Sequence, residues 1–192
     1  MEKHLRQLPA DILNLVRLAR EVSEGTGVDA YLVGGFVRDL VLGRANYDLD
    51  ITVVGPGIEF AQAFLRKAGG RLLVHRRFGT ATVTIGAGRS AHGHKVDFAT
   101  ARKERYAHSG ALPEVSAGEL KDDLFRRDFT INTLAIGLRG HGFGRLIDLF
   151  RGGEDIKGRH VRVLHDSSFI DDPTRILRCV RFEQRFGFSI ER

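Results

Sequence analysis

The sequence has 192 residues, 42% of them hydrophobic and 28% charged, which is the composition of an ordinary globular protein. It contains no apolar run near the roughly 20 residues of a membrane span, no signal-peptide pattern at its start, and one cysteine, Cys179, which excludes an internal disulfide and a cysteine-based zinc site. These features predict a cytoplasmic protein with no membrane partner. The net charge of +6 favours a polyanionic partner, with nucleic acid first.

The predicted elements alternate between helices and short strands. Helices are predicted where apolar residues recur at helical spacing, as Ile12, Leu15 and Ala19 do, and strands where short apolar or β-branched runs end at turn residues. In chain order the elements are a helix at 9–22, a strand at 30–33, a helix at 36–42, a strand at 49–54, a helix at 57–68, strands at 71–75, 80–85 and 95–99, an irregular loop at 102–118, a helix at 119–126, strands at 134–138, 145–149 and 161–164, and a helix at 173–186. The pattern predicts an α+β fold with a mixed sheet flanked by helices.

Asp48 and Asp50 lie at the start of the predicted strand at 49–54. Residues two apart along a strand project from the same face, about 6.6 Å apart, so these carboxylates are expected side by side. Asp97 is the third candidate, because a lone carboxylate among apolar residues is costly unless it is paired or metal-bound. Carboxylates suit Mg²⁺, and two such ions about 3.5–4 Å apart can activate a hydroxyl and neutralise a leaving pyrophosphate. The alternative interpretation is that all three face solvent at strand ends.

The pair Gly34–Gly35 lies between the predicted strand at 30–33 and a helix. A Gly-Gly turn leaves backbone N–H groups free, and a helix N-terminus favours anionic phosphate. Arg38 adds a positive charge one turn later. With two aspartates downstream, this arrangement predicts a triphosphate site beside a metal site, and a plain turn is the alternative interpretation.

Four motifs carry a resemblance to a known family. They are Gly34-Gly35-x-x-Arg38-Asp39 with Asp48-x-Asp50, then Arg126-Arg127-Asp128-Phe129-Thr130-Ile131-Asn132, then Asp148 with Gly152 and Asp155, and finally Asp171-Asp172-Pro173-Thr174-Arg175 with Arg178. In this order, over about residues 31–188, the sequence resembles the class II tRNA nucleotidyltransferases, which are CCA-, CC- and A-adding enzymes, and the bacterial poly(A) polymerases. The resemblance implies a nucleotidyltransferase head of the polymerase beta-like type that continues into a helical neck.

The resemblance also implies a function for individual residues. Metal binding and catalysis are implied for Asp48, Asp50 and Asp97, and triphosphate binding for Gly34, Gly35 and Arg38. Contact with the sugar and phosphates of the incoming nucleotide is implied for Arg127, Asp128 and Asn132. Base reading is implied for Asp172 and Arg175, and Arg178 belongs to the same nucleotide-binding motif. The implied cofactor is a pair of Mg²⁺ ions, with Mn²⁺ as the alternative ion. For the last two groups, local ion pairs are the alternative interpretation.

The implied activity is template-independent transfer of AMP or CMP, from ATP or CTP, to the 3′ end of tRNA or another RNA, with release of pyrophosphate. The sequence at 31–39 resembles bacterial members of the family that are often A-adding enzymes, which favours A-adding activity. Bacterial poly(A) polymerase is an alternative, because it shares these motifs. A small-molecule nucleotidyltransferase is another, against which the base-reading pair argues. An alternative from a different class is a catalytically inactive RNA-binding module, and the intact carboxylates argue against it.

The resemblance further divides the chain into an N-terminal helix and linker at 1–28, the head at 29–165 and the start of a truncated neck at 166–192. Members of the family continue into a helical body and tail that grip tRNA, so further domains of a longer chain are expected. The loop at 102–118 is expected to shift during nucleotide selection. Thr133 departs from the family, which more often has Ala there.

Overall fold

The structure is a computed structural model that describes residues 2–86, 93–105, 108 and 114–191. The chain forms two compact units. The sheet unit contains Met1–Ala101 and Ala135–Ile147, and the helical unit contains Arg102–Leu134 and Asp148–Arg192. The domain limits predicted from the motifs, 1–28, 29–165 and 166–192, follow the sequence rather than compactness, and they remain a prediction.

The sheet unit is built on seven strands. They are β1 (Asp29–Val33), β2 (Leu49–Val54), β3 (Arg71–His75), β4 (Thr80–Ile85), β5 (His94–Thr100), β8 (Ala135–Gly137) and β9 (Leu146–Ile147). The strands β6 (Arg102–Arg105) and β7 (Glu114–Ala117), which lie between β5 and β8 in the chain, belong to the helical unit. The order of the seven strands in the sheet is β3-β4-β5-β2-β1-β8-β9. The pair β2–β5 is parallel, and the other neighbouring pairs are antiparallel. The predicted α+β fold with a mixed, mainly antiparallel sheet is confirmed.

Four helices accompany this sheet: α1 (Glu2–Leu5), α2 (Ala10–Thr26), α3 (Gly34–Val41) and α4 (Gly57–Ala68). The apolar residues of α4 recur on one face, where Phe60 and Phe64 are buried. Their rings pack against Phe98 of β5, with centroids 5.8 and 5.1 Å away, and each such aromatic pair adds about 0.5–1.5 kcal/mol to the stabilisation from burial. The strand that carries Asp97 is therefore anchored to the core through the next residue.

The helix α2 is longer than the sequence predicts. It continues through Gly25 to Thr26, and Gly27 ends it with a φ of 72°, a left-handed conformation that costs glycine little. The hydroxyl of Ser23 donates to the carbonyl of Val28 at 2.5 Å. Side-chain bonds of this kind hold the last turn, so tertiary and local contacts outweigh the helix-weakening glycine.

Where the structure describes it, the helical unit contains short strands and four α-helices. They are β6 (Arg102–Arg105), β7 (Glu114–Ala117), α5 (Leu120–Phe125), α6 (Gly152–Gly158), β10 (His160–Val161), α7 (Ser168–Asp171), α8 (Thr174–Phe186) and β11 (Ser189–Ile190). Phe182 of α8 packs edge-on against Phe129 at 5.6 Å and stacks on Phe186 at 5.7 Å. These buried rings form the core of the unit.

The prediction of an irregular loop at 102–118 is wrong at both of its ends. β6 and β7 pair antiparallel, with Arg102 opposite Ala117 and Arg105 opposite Glu114. Both strands lack the apolar alternation that identifies a half-buried strand, so pattern alone does not reveal them. Residues 106–107 and 109–113 lie outside the described residues, and the expected shift of this segment during nucleotide selection remains a prediction.

Several short elements differ from the predicted ones. The strands predicted at 134–138, 145–149 and 161–164 correspond to the shorter β8, β9 and β10, while α1, α6, α7 and β11 have no predicted counterpart. Among the helices of the described residues, none combines the length and the apolar character that crossing a bilayer requires.

Candidate active site

The acidic face is the set Asp48, Asp50 and Asp97 on the sheet unit. In the parallel pair β2–β5, Asp50 lies directly opposite Asp97, and residues that face each other across paired strands project from the same side of a sheet. Asp48 is exposed and precedes β2 by one residue, two positions from Asp50. The structure therefore brings the three predicted carboxylates to one place on the sheet.

Two neighbouring side chains hold Asp97. The hydroxyl of Thr82, which is opposite Asp97 on β4, donates to Asp97 Oδ1, and Lys95 Nζ donates to Asp97 Oδ2 at 2.8 Å. The pKa of Lys95 is raised, chiefly by this hydrogen bond and further by the charges of Asp97, Asp50 and Asp48, although partial burial acts the other way. The Lys95 ammonium group therefore interacts electrostatically with all three carboxylates.

The donor atoms of the acidic face are of the type that binds divalent cations, but they do not form a preformed coordination site among the described residues. Within the ranges that the structure describes, no three His, Cys, Asp or Glu side chains form a group that could hold a metal ion. The donors are all carboxylate oxygens, which hard cations such as Mg²⁺ prefer. The cation now in contact with Asp97 is Lys95, so this face attracts positive charge.

The Gly34–Gly35 pair opens α3 directly at the end of β1. Gly34 has a φ of 69°, a conformation that disfavours any residue with a Cβ atom. A Cβ at Gly35 would lie 3.5 Å from Arg38 Nη2 and 3.6 Å from Asn46 Nδ2. The bare backbone at Gly35 therefore adjoins two nitrogen donors, which is the arrangement that an anionic phosphate requires.

Asn46 connects this glycine segment with the acidic face, although it belongs to none of the sequence motifs. Its Nδ2 donates to Asp39 Oδ2 at 2.8 Å, and its Oδ1 accepts from the backbone N–H of Asp48 at 3.1 Å. Asp39 is buried and also pairs with Arg38 at 2.8 Å. The signal that could have revealed Asn46 is its position two residues before Asp48, which is typical of an Asx turn.

A second group of predicted residues lies in the helical unit. Asp128 is nearly buried and accepts from Arg178 Nε and Nη2 at 2.8 and 2.6 Å. Its other oxygen accepts from Asn132 Nδ2 at 2.8 Å. The structure therefore brings Asp128, Asn132 and Arg178 together, and half of the Arg178 side chain stays exposed.

Arg127 belongs to the charge network of the helical unit, formed by Arg102, Glu104, Asp123, Arg126 and Arg127. The fully buried Asp123 pairs with Arg126 at 2.7 Å and with Arg127 at 3.0 Å. Burial alone would raise the pKa of Asp123, but the Arg127 and Arg126 guanidinium groups outweigh it and lower that pKa. Arg127 Nε is buried and has no hydrogen-bond partner among the described residues. An unsatisfied buried donor of this kind is costly, so it favours a ligand acceptor at this position.

Asp172 and Arg175 lie at the start of α8, and each already has partners. Asp172 Oδ1 accepts from the backbone and hydroxyl of Thr174 at 3.0 and 2.6 Å. The buried Arg175 donates to Ser168 Oγ at 2.6 Å and to the carbonyl of Arg126 at 2.9 Å, while its Nε is 3.8 Å from Asp172. Arg175 also lines a pocket of the helical unit. The predicted base-reading function therefore remains a prediction.

The third motif has structural partners. Asp148 accepts from the backbone N–H groups of Gly152 and Gly153, both at 2.9 Å, at the start of α6. The buried Asp155 accepts from the Thr130 hydroxyl at 2.5 Å. This bond fixes the short turn Thr130–Asn132, so the motif supports a segment that carries a predicted nucleotide contact.

Comparison with known proteins identifies the family of the chain. Residues 30–162 match the family described as the poly A polymerase head domain. The chain belongs to this family. The resemblance found from the motifs is thereby confirmed, and the matched range contains the whole acidic face and both glycines of the Gly34–Gly35 pair.

Relatives of the chain include tRNA nucleotidyltransferases. The chain is 47% identical over 187 residues to an A-adding tRNA nucleotidyltransferase of Geobacter sulfurreducens, covering 97% of the chain and 21% of that protein. A solved structure of a CCA-adding enzyme in its apo form II is similar with a TM-score of 0.91 and 47% identity over the whole chain and 44% of that structure. A Thermotoga maritima CCA-adding enzyme complexed with tRNA gives a TM-score of 0.85 at 45% identity, over the whole chain and 42% of that structure. The chain thus spans less than half the length of these relatives.

Proposed function

We propose that the chain is the catalytic head of a template-independent nucleotidyltransferase that adds AMP to the 3′ end of tRNA. The RNA 3′-hydroxyl oxygen attacks the α-phosphorus of ATP, the bond from that phosphorus to the bridging oxygen breaks, and pyrophosphate leaves. The single observation that carries the proposal is the register that sets Asp50 opposite Asp97 on β2 and β5. The 47% identity to an A-adding enzyme supports AMP, with CMP from CTP as the alternative product.

Asp48, Asp50 and Asp97 are proposed to hold the divalent ions, Mg²⁺ or alternatively Mn²⁺. Ions bound there would supply Lewis-acid stabilisation of the phosphoryl oxygens and of the attacking hydroxyl. The carboxylates fix where this charge lies, and Thr82 orients Asp97 by its hydrogen bond to Oδ1. A site built on two paired strands is rigid, which suits a reaction that depends on positioning.

The triphosphate is proposed to contact the segment around Gly34, Gly35 and Arg38. Support comes from the close packing of Arg38 Nη2 and Asn46 Nδ2 around the position where Gly35 lacks a Cβ. Arg38 would offset the negative charge of phosphate oxygens, and Asn46 Nδ2 would add a neutral hydrogen-bond donor. Asn46 would also fix the backbone of Asp48, because it accepts from its N–H.

The sugar and phosphates of the nucleotide are proposed to contact Arg127, Asp128 and Asn132, with Arg178 holding Asp128. The unsatisfied Nε of Arg127 supports a ligand acceptor beside it. Asp128 is an acceptor that can receive the ribose 2′-OH, the group that separates ribonucleotides from deoxyribonucleotides. The base is proposed to meet Asp172 and Arg175 of α8, since a carboxylate and a guanidinium can together hydrogen-bond a base edge.

Two other functions account less well for these features. Bacterial poly(A) polymerase would use the same head, but the tRNA enzymes among the relatives favour tRNA as the substrate. An inactive RNA-binding module would have no use for three carboxylates that act on one ammonium group, since like charges without a function are a cost.

The test is nucleotide transfer by the full-length enzyme. It is incubated with tRNAs that end before, within and after the CC sequence, and each nucleotide is offered separately with Mg²⁺. We expect AMP to be added only to tRNA ending in CC, and Asp50→Asn to reduce this by about 10³-fold, because metal stabilisation of the transition state is worth several kcal/mol.

The matched control is Asp29→Asn, another aspartate of the same sheet whose carboxylate pairs with Arg139 at 3.0 Å. It should transfer AMP at the parent rate. Retained transfer by Asp50→Asn would refute the acidic face as the reaction centre, and repeated AMP addition to any RNA end would favour poly(A) polymerase.

A further inference from the structure

Lys95 contacts the acidic face, and neither the family motifs nor the proposed mechanism gives it a function. It lies on β5 two residues before Asp97, so both side chains project from the same side of the sheet. Its Nζ is 2.8 Å from Asp97 Oδ2. The residues opposite this pair on β4 are Thr84 and Thr82, which are neutral. The positive charge that β5 presents beside Asp97 is therefore that of Lys95.

Both carboxylate oxygens of Asp97 are engaged in this state. Oδ1 accepts from the Thr82 hydroxyl and Oδ2 accepts from Lys95. Asp50 and Asp48 also act on the same ammonium through their charge. A divalent ion that binds Asp97 through Oδ2 would need the place that the ammonium takes, because two cations cannot share one oxygen at contact distance without strong repulsion.

We propose that Lys95 is a resident counter-ion of the acidic face, which a divalent ion must displace from Asp97 before it binds. Lys95 neutralises part of the carboxylate charge when no metal is present, and it sets the metal concentration at which the site fills. The inference rests on the proposed function, since it takes Asp48, Asp50 and Asp97 as the metal ligands. Lys95 is thus a positioning and regulatory residue and not a catalytic one.

An ordinary surface ion pair in the same unit provides the comparison. Lys67 Nζ is 3.1 Å from Glu21 Oε2, and its side chain is 50% exposed, against 59% for Lys95. The two lysines match in type, exposure and carboxylate contact, but the partner of Lys67 is Glu21, which does not belong to the acidic face. Lys67→Gln is therefore the matched control for Lys95→Gln.

The test measures binding of Mn²⁺ alone to the full-length protein by isothermal titration calorimetry, without nucleotide or RNA. Lys95→Gln should lower the Kd for Mn²⁺ by about threefold to fivefold, the range expected when a partly exposed competing ion pair is removed. Lys95→Arg keeps a cation beside Asp97 and should stay near the parent Kd. Lys67→Gln should leave the Kd unchanged.

The thermal midpoint gives a second measurement that needs no activity. Without metal, Lys95→Gln should melt below the parent, because the carboxylates lose their counter-ion, and Mn²⁺ should raise its midpoint more than it raises that of the parent. An unchanged or higher Kd for Lys95→Gln would overturn the inference.

Asp50→Asn separates the two ways of failing. If it abolishes Mn²⁺ binding while Lys95→Gln binds like the parent, the metal site stands and the function of Lys95 is wrong. If Asp50→Asn binds Mn²⁺ as well as the parent does, the proposed metal site itself is wrong, and the inference falls with it.

Discussion

The acidic face of the sheet unit and the charge network of the helical unit solve opposite electrostatic problems. The acidic face sets like charges against each other, with Asp50 directly opposite Asp97, and it keeps them half-exposed. The charge network buries Asp123 between Arg126 and Arg127, and the buried donor Arg127 Nε has no hydrogen-bond partner in the part of the chain that the structure describes. Repulsion between carboxylates therefore destabilises the acidic face but makes it attractive to cations. In the charge network, by contrast, paired opposite charges stabilise the fold and hold Arg127 in position.

Asp123→Asn should give the largest effect on stability. The change leaves the Arg126 and Arg127 guanidinium groups without their shared buried partner, and breaking a buried pair in this way costs about 3–5 kcal/mol. The free energy of unfolding, measured with urea, should fall by that amount. The control Asp166→Asn, at an exposed position of the same unit, should stay within about 0.5 kcal/mol of the parent, and a similar fall in both variants would contradict the comparison.

Lowering the pH should destabilise the charge network, with a smaller effect on the free energy of unfolding than Asp123→Asn has. The pKa of Asp123 lies below its ordinary value of 3.8 in the folded protein, so its stabilisation is present above that value and is lost as the pH falls through the lower, folded pKa. We expect the unfolding free energy of the parent to fall steeply below about pH 4.

The same acid titration of Asp123→Asn should show a shallower decline, because this carboxylate is absent. Parallel declines in the parent and the variant would show that Asp123 is not the group whose protonation weakens the fold.

Asp50→Asn should give the smallest effect on stability, and one of the opposite sign. Like charges directly opposite on paired strands are destabilising, and cross-strand pairs are worth about 0.2–1 kcal/mol. In metal-free buffer the free energy of unfolding should therefore rise by that amount. A fall of more than about 1 kcal/mol would mean that Asp50 stabilises the fold, and the contrast between the regions would not hold.

The long elements were predictable because their local patterns are strong. The structure reproduces the predicted limits of β2, α4, β3 and β4, where β-branched alternation or helical spacing agrees with the tertiary packing. The helix α6 has no such pattern. Two contacts hold it, namely Asp148 on the N–H groups of Gly152 and Gly153, and Asp155 on Thr130.

The candidate site was predictable in its residue types but not in its neighbours. The first motif contains Asp48 and Asp50, and the apolar residues around Asp97 predict it as the third carboxylate. The register that sets Asp50 opposite Asp97 depends on a long-range strand pairing that periodicity does not specify. Asn46 and Lys95 were missed for the same reason, because their importance lies in what they touch. Arg175 shows the converse, since its place in a motif does not reveal its bonds to Ser168 and Arg126.

The parallel pairing of β2 with β5 has a consequence for the order in which the molecule assembles. Parallel neighbours cannot be joined by a tight turn, and α4, β3 and β4 lie in the chain between β2 and β5. Closing this segment carries an entropic cost, and the repulsion between Asp50 and Asp97 is added to it at the same moment. We therefore expect the pairing of Asp50 with Asp97 to form late in folding, and a divalent ion bound beside them to favour it by offsetting the repulsion between the two carboxylates.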